Sequence, residues 1–146
     1  MPKNSNPSSP AISERARACS LLKSIVPFVQ YLEALERTAT VGMAGSPCNC
    51  PIVLFLRSHG IESTVSANGR VLGAGGIIAG SIWDEEFEEG GLSLDDVPWL
   101  CDFVRAIDGR LLKDQPVTAE VALSVAKQLN EGVYPSDLMF PVYVPL

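Results

Sequence analysis

Apolar side chains recur every three or four residues over the first third of the chain. The stripe begins after Ser13, whose hydroxyl can cap a helix, and predicts a helix over residues 13–37. Pro27 interrupts it, and a proline inside a helix removes one hydrogen bond and collides with the preceding turn. The pattern therefore predicts either a kink near Ser24 or two consecutive helices, the second opening at Pro27.

A second helix is predicted from an almost continuous apolar run. Residues 38–49 contain glycine and proline and predict a loop, and the helix then covers 51–58. Pro51 suits its first turn, where the missing N–H is not needed, and Gly60 suits the left-handed position that ends a helix. Because nearly every side chain is apolar, we expect this helix to be buried.

Two further stretches show one apolar face at helical spacing. The first predicts a helix over 96–107, with Asp95 or Asp96 as its cap. The second predicts a helix over 118–130 with Thr118 as its cap. Each would place one face on a shared core.

The middle of the chain predicts a hairpin. Two strand-like runs, 62–66 and 70–74, flank Asn68-Gly69, and this dipeptide favours a type I′ turn with positive φ at both residues. A third strand is expected over 77–83, and Pro141 allows an edge strand near the end of the chain, at 138–144.

These elements predict an α+β fold with about four helices on a small, mainly antiparallel β-sheet. Residues 1–12 are rich in proline, serine and asparagine and predict a disordered tail, so residues 13–146 would form a single α+β domain. The composition, 47% hydrophobic and 19% charged, leaves enough apolar material for one core.

Charge and hydropathy limit the classes of partner that the chain is expected to bind. The net charge is −6, and the 11 basic residues are scattered, whereas phosphate binding needs them clustered. No run reaches the roughly 20 apolar residues that span a bilayer, and the first residues lack the apolar segment of an export signal. We therefore expect no nucleic acid, no membrane and a cytoplasmic location.

The densest group of chemically versatile side chains is Cys48-Asn49-Cys50 with His59 nearby. Thiolates and imidazole bind zinc, and Cys101 would supply a fourth ligand, although a lone C-x-C lacks the spacing of known zinc motifs. Alternatively, thiols just before a helix have a lowered pKa and redox reactivity. The plainer interpretation is a loop with free thiols and no cofactor.

Other motifs are weaker. The glycines of 73–80 do not have the spacing of a phosphate-binding loop, and the acidic run 84–89 does not have that of a calcium loop. The acidic run is expected to be a solvated turn, or a surface that docks on a basic protein patch. With a single histidine and no G-x-S-x-G motif, no catalytic set is indicated.

Two segments resemble short, uncharacterised bacterial and phage proteins. The first is Cys50-Pro51-Ile52-Val53 with the hairpin that follows; the second is Val97-Pro98-Trp99 leading to Asp108-Gly109-Arg110. This resemblance covers about half the chain and implies a compact α+β unit with no assigned site.

The sequence as a whole predicts a non-enzymatic interaction or accessory protein, mobile-element encoded or regulatory, that binds a protein partner or itself. The alternative is a thiol- or metal-binding protein that uses Cys48, Cys50 and His59.

Overall fold

The computed structural model of the chain describes residues 9–132. Across these residues it contains five helices and two sheets, so the predicted α+β class is confirmed. The helices are α1 (Ser9–Leu22), α2 (Val26–Glu33), α3 (Pro51–Arg57), α4 (Pro98–Arg110) and α5 (Ala119–Asn130). The strands are β1 (Thr40–Met43), β2 (Ser63–Val65), β3 (Val71–Gly73), β4 (Gly76–Gly80), β5 (Leu92–Ser93) and β6 (Pro116–Thr118).

The first apolar stripe forms two consecutive helices, which was one of the two predicted outcomes. α2 opens at Val26 with Pro27 in its first turn, where a missing N–H breaks no hydrogen bond. The backbone N–H of Val26 donates to Ser24 Oγ at 3.1 Å in the break between the helices. α1 begins at Ser9, so residues 9–12, which the sequence placed in the tail, are helical; residues 1–8 lie outside the described range.

The predicted hairpin forms, but with a different turn. β2 and β3 pair antiparallel, and the loop between Ser66 and Arg70 has three residues. Gly69 has φ +89°, whereas Asn68 does not share a positive φ, because Asp114 is the only non-glycine residue with one among those described. The predicted type I′ turn is therefore wrong. The loop is the three-residue kind that ends in a left-handed glycine.

β3 pairs antiparallel with β4, and β4 pairs in parallel with β5. Parallel neighbours need a long connection, which here is the segment 81–91. The strand predicted over 77–83 accordingly ends early, at Gly80.

β1 forms within the segment predicted as a loop, because it pairs antiparallel with β6. The edge strand predicted at 138–144 lies outside the described residues.

The helix starts show one correct cap and two incorrect ones, because Ser13, the predicted cap of the first helix, lies inside α1. Thr118 Oγ1 accepts a hydrogen bond from the backbone N–H of Val121, as predicted for α5. α4 instead begins after Val97, without a side-chain cap, and Asp95 and Asp96 are exposed in the turn before it. That turn is closed by the N–H groups of residues 96 and 97, which both donate to Ser93 O.

One cluster of buried residues joins the five helices and both sheets. Phe28 of α2 lies at its aromatic centre, with ring centroids 5.3 Å from Phe55, 4.9 Å from Phe103 and 5.5 Å from Trp99. The beginning of α3 and the second half of α4 lie close enough to line one pocket. No helix in the described range is both long and apolar enough to cross a bilayer.

Candidate functional site

The structure places the three predicted site residues around α3 without bringing them together. Cys50 occupies the N-cap position of α3, without a side-chain cap, and is buried, and Cys48 is exposed in the preceding turn. His59 lies beyond the other end of the helix, which is about 10 Å long. Its ring packs edge-on against Phe55, with the centroids 5.3 Å apart.

A metal centre finds no support in this arrangement. Among the described residues, no three histidine, cysteine, aspartate or glutamate side chains gather as ligands for one ion. Cys101, the fourth ligand suggested by the sequence, lies on α4 with its backbone against Gly69. Zinc at Cys48, Cys50 and His59 stays a prediction, and elemental analysis of the purified protein tests it.

The environment of Cys50 is the reverse of what thiol activation requires. Burial raises the pKa of the Cys50 thiol above its usual value, and the nearby Asp108 carboxylate raises it further. The backbone N–H groups of Ile52 and Val53 lower it, as expected at a helix start, but by less. The thiol is therefore neutral at physiological pH, and burial is the factor that the alternative of a reactive thiolate left out.

Cys50 instead forms part of the wall of a small pocket, which we call the α3–α4 pocket. It has a volume of about 140 Å³ and lies between the turn after β1, the start of α3, the hairpin loop and α4. Its wall is mostly apolar and includes Met43, Pro47, Ile52, Phe103, Val104 and Ile107. An apolar concavity with few polar groups is the usual form of a small-molecule site.

Asp108 provides the one carboxylate in this wall. Burial raises the pKa of the Asp108 carboxyl, although a hydrogen bond from the backbone N–H of Gly45 lowers it in part. From the sequence, Asp108 stood out only as part of the segment Asp108-Gly109-Arg110. Its spacing of four residues from Val104 would have placed both on one face of α4.

A second candidate surface is the segment 81–91 between β4 and β5, which we call the acidic loop. At its start two large apolar side chains face solvent: Trp83 is 86% exposed and Ile82 is 53% exposed. Five carboxylates follow within six residues: Asp84, Glu85, Glu86, Glu88 and Glu89. The hydropathy pattern does not reveal that this tryptophan faces solvent beside a block of like charge. The reason is that Ile82 and Trp83 fit equally well as the end of the strand predicted over 77–83.

Two arginines hold the acidic loop on the body of the protein. Arg70 Nη2 lies 2.9 Å from Asp84 Oδ2 and 3.7 Å from Glu86 Oε1. Arg15 of α1 donates from Nε to the carbonyl of Ile77 at 2.8 Å, and its other nitrogens donate to loop carbonyls at 3.1 and 3.4 Å. The loop is thus anchored at both of its sides.

Comparison with known proteins gives no relative from which a role could be carried over. No family model matches the chain, and no curated protein or solved structure matches it either. The resemblance to short bacterial and phage proteins stays a prediction.

Proposed function

We propose that this is a non-enzymatic interaction protein that inserts Trp83 and Ile82 into an apolar depression with a basic rim on a partner protein. The observation that carries the proposal is the 86% exposure of Trp83. Leaving so large an apolar surface in water costs free energy that burial on a partner recovers. Tryptophan is also among the residues most enriched at the energetic centres of protein interfaces.

The charge around Trp83 selects the kind of partner. The carboxylates of the acidic loop follow directly in the chain, and the net charge of the whole chain is −6. A negative field steers association with a basic surface and repels nucleic acid and other acidic proteins. A second copy of this chain would present the same acidic loop, so a heterologous basic partner fits better than self-association.

The anchoring of the loop favours binding as well. Interfaces lose affinity when loops must be ordered on association. Here the ion pair of Arg70 with Asp84 and the hydrogen bonds of Arg15 to the carbonyls of Glu88 and Glu89 already fix the loop before a partner arrives. The accessory role, mobile-element encoded or regulatory, belongs to this same proposal.

The test uses the full chain, its Trp83→Ala variant and a matched control, Leu112→Ala, which removes another exposed apolar side chain (74% exposed) outside the loop. A partner recovered from the source cells is purified, and its affinity for each protein is measured by calorimetry. We expect Trp83→Ala to weaken binding by about 30-fold or more and Leu112→Ala to leave it unchanged. Affinity should also fall as salt rises.

Three results would contradict the proposal. An affinity that Trp83→Ala leaves unchanged would remove Trp83 from the interface, and an equal loss in both variants would show that the effect is not specific to Trp83. A captured partner that is acidic, or binding indifferent to salt, would remove the role of the acidic loop. Sedimentation velocity that shows a dimer abolished by Trp83→Ala would replace the basic partner with a second copy of the chain.

A further inference from the structure

We propose that the α3–α4 pocket binds a small molecule with a compact aromatic body and a cationic amine, which pairs with Asp108. This site is separate from the acidic loop, and neither proposal depends on the other.

The volume selects the size of the ligand. The pocket measures about 140 Å³, and an apolar protein cavity of about 150 Å³ holds one benzene molecule. Met43 and Phe103 in the wall suit an aromatic ring, because thioethers and aromatic edges both make favourable contacts with one. A single ring therefore fills the pocket, and a nucleotide does not fit.

The charge selects the head group. Asp108 is the only ionisable carboxyl among the pocket-lining residues, and none of those residues is basic. The N–H of Gly45 holds the Asp108 carboxyl in place. Lys113 approaches Gly45 with the methylene stem of its side chain but is exposed and does not line the pocket. A cation at the rim is thus attracted, and an anion is repelled.

Besides Asp108, the polar side chains of the pocket wall belong to Ser46, Ser66 and Cys50, and none of them adds a charge to the site. Cys50 is buried in the wall and its thiol carries no charge at neutral pH, so it acts as a small apolar contact. The ring would lie against this thiol and the apolar residues of α4, with the amine directed toward Asp108.

The probes are benzylammonium, benzyl alcohol and benzoate, which share one ring and differ in charge. Each is titrated into ¹⁵N-labelled protein while the amide signals of pocket residues such as Gly45 and Val104 are followed. We expect saturable shifts with benzylammonium in the millimolar range, as small fragments bind. Benzyl alcohol should bind more weakly, and benzoate most weakly of the three.

Two variants separate the charge from the shape of the site. Asp108→Asn keeps an acceptor for the Gly45 N–H and should weaken benzylammonium about fivefold, the effect of a partly exposed ion pair, while leaving benzyl alcohol unchanged. The control is Asp102→Asn on the same helix, because Asp102 is also a carboxyl with a raised pKa but lines a different depression. It should change neither affinity.

The outcomes decide the proposal in either direction. Shifts that never saturate, or that fall outside the pocket, would overturn it. Equal affinity for all three probes would show an apolar cavity without charge selection, and equal effects of the two variants would remove Asp108 from the site.

Discussion

The hairpin loop lies directly on α4, and Gly69 meets the backbone of Cys101 there. A Cβ placed on Gly69 would be 2.7 Å from the Cys101 nitrogen and 2.8 Å from its Cα, closer than atoms can approach. The left-handed φ of +89° and this contact both require glycine. The hairpin and the helix are therefore packed through their main chains.

Gly69→Ala should destabilise the protein by more than the backbone conformation alone explains. Gly60→Ala is the control, because Gly60 has a similar φ of +79° but nothing within 4 Å of the added Cβ. We expect about 1 kcal/mol for Gly60→Ala and at least about 2 kcal/mol for Gly69→Ala, measured by urea unfolding. Equal losses would show that the hairpin can shift away from α4 without cost.

Replacement by phenylalanine should destabilise the protein at one tryptophan and hardly at all at the other. Trp99 is buried, and its Nε1–H donates to the carbonyl of Leu22 at 2.9 Å. This carbonyl belongs to the last residue of α1 and lacks a partner within the helix. Trp99→Phe should cost about 1–3 kcal/mol, and Trp83→Phe less than about 0.5 kcal/mol. Urea unfolding, monitored by circular dichroism, measures both losses. Similar losses for the two variants would contradict a structural role for the hydrogen bond between Trp99 and Leu22.

The Arg70–Asp84 pair should contribute more than an ordinary surface ion pair. Its side chains are 27% and 25% exposed, against 41% and 71% for the pair of Arg57 with Glu62. Each pair is tested by a double-mutant cycle in which the arginine is replaced by methionine and the acid by its amide. We expect a coupling free energy of about 1 kcal/mol for Arg70 with Asp84. The pair of Arg57 with Glu62 should give less than about 0.5 kcal/mol. A reversed order would mean that the acidic loop is not anchored through Arg70.

Alkylation should distinguish the two neighbouring cysteines. In a Cys50→Ser variant the exposed Cys48 should react with iodoacetamide readily at pH 8. In a Cys48→Ser variant the buried Cys50 should react far more slowly, because its raised pKa leaves little thiolate. Raising the pH should accelerate the reaction of Cys50 until its raised pKa is passed. Mass spectrometry over time gives both rates, and a faster Cys50 would restore the redox hypothesis.

Asp108→Asn should not weaken the fold at pH 7. Burial raises the pKa of Asp108 above 3.8 in the folded state, so ionisation opposes folding. Its favourable contribution is complete below the unfolded pKa and is lost as pH rises through the folded one. Asparagine does not ionise and so avoids this loss of stability. The thermal midpoint of the Asp108→Asn variant at pH 7 should therefore equal or exceed that of the native chain. A lower midpoint would make Asp108 a structural residue.

Local signals predicted the elements that depend on neighbouring residues. Pro51 and Gly60 marked the two ends of α3, and Thr118 marked the start of α5, because caps and turn residues act within one helical turn. The Asn68-Gly69 pair located the hairpin correctly but not its turn type. That choice depends on the whole loop from Ser66 to Arg70.

Distant contacts explain what the sequence did not reveal. β1 exists because β6 pairs with it, and nothing near residue 40 indicates that partner. Cys50 was recognised as chemically interesting, yet the direction of its pKa change depends on burial under α4 and on Asp108. The exposure of Trp83 likewise depends on where β4 ends, at Gly80.

The pairing of β1 with β6 also bears on how the chain is made. Thr40 is paired with Thr118, so this small sheet closes a loop of roughly eighty residues, whose entropy must be overcome before the strands stabilise each other. During synthesis Thr40 leaves the ribosome long before its partner exists. Until residue 118 emerges, residues 40–43 lack the partner strand that makes them a strand, and their backbone hydrogen-bonding groups stay available to other chains and to chaperones.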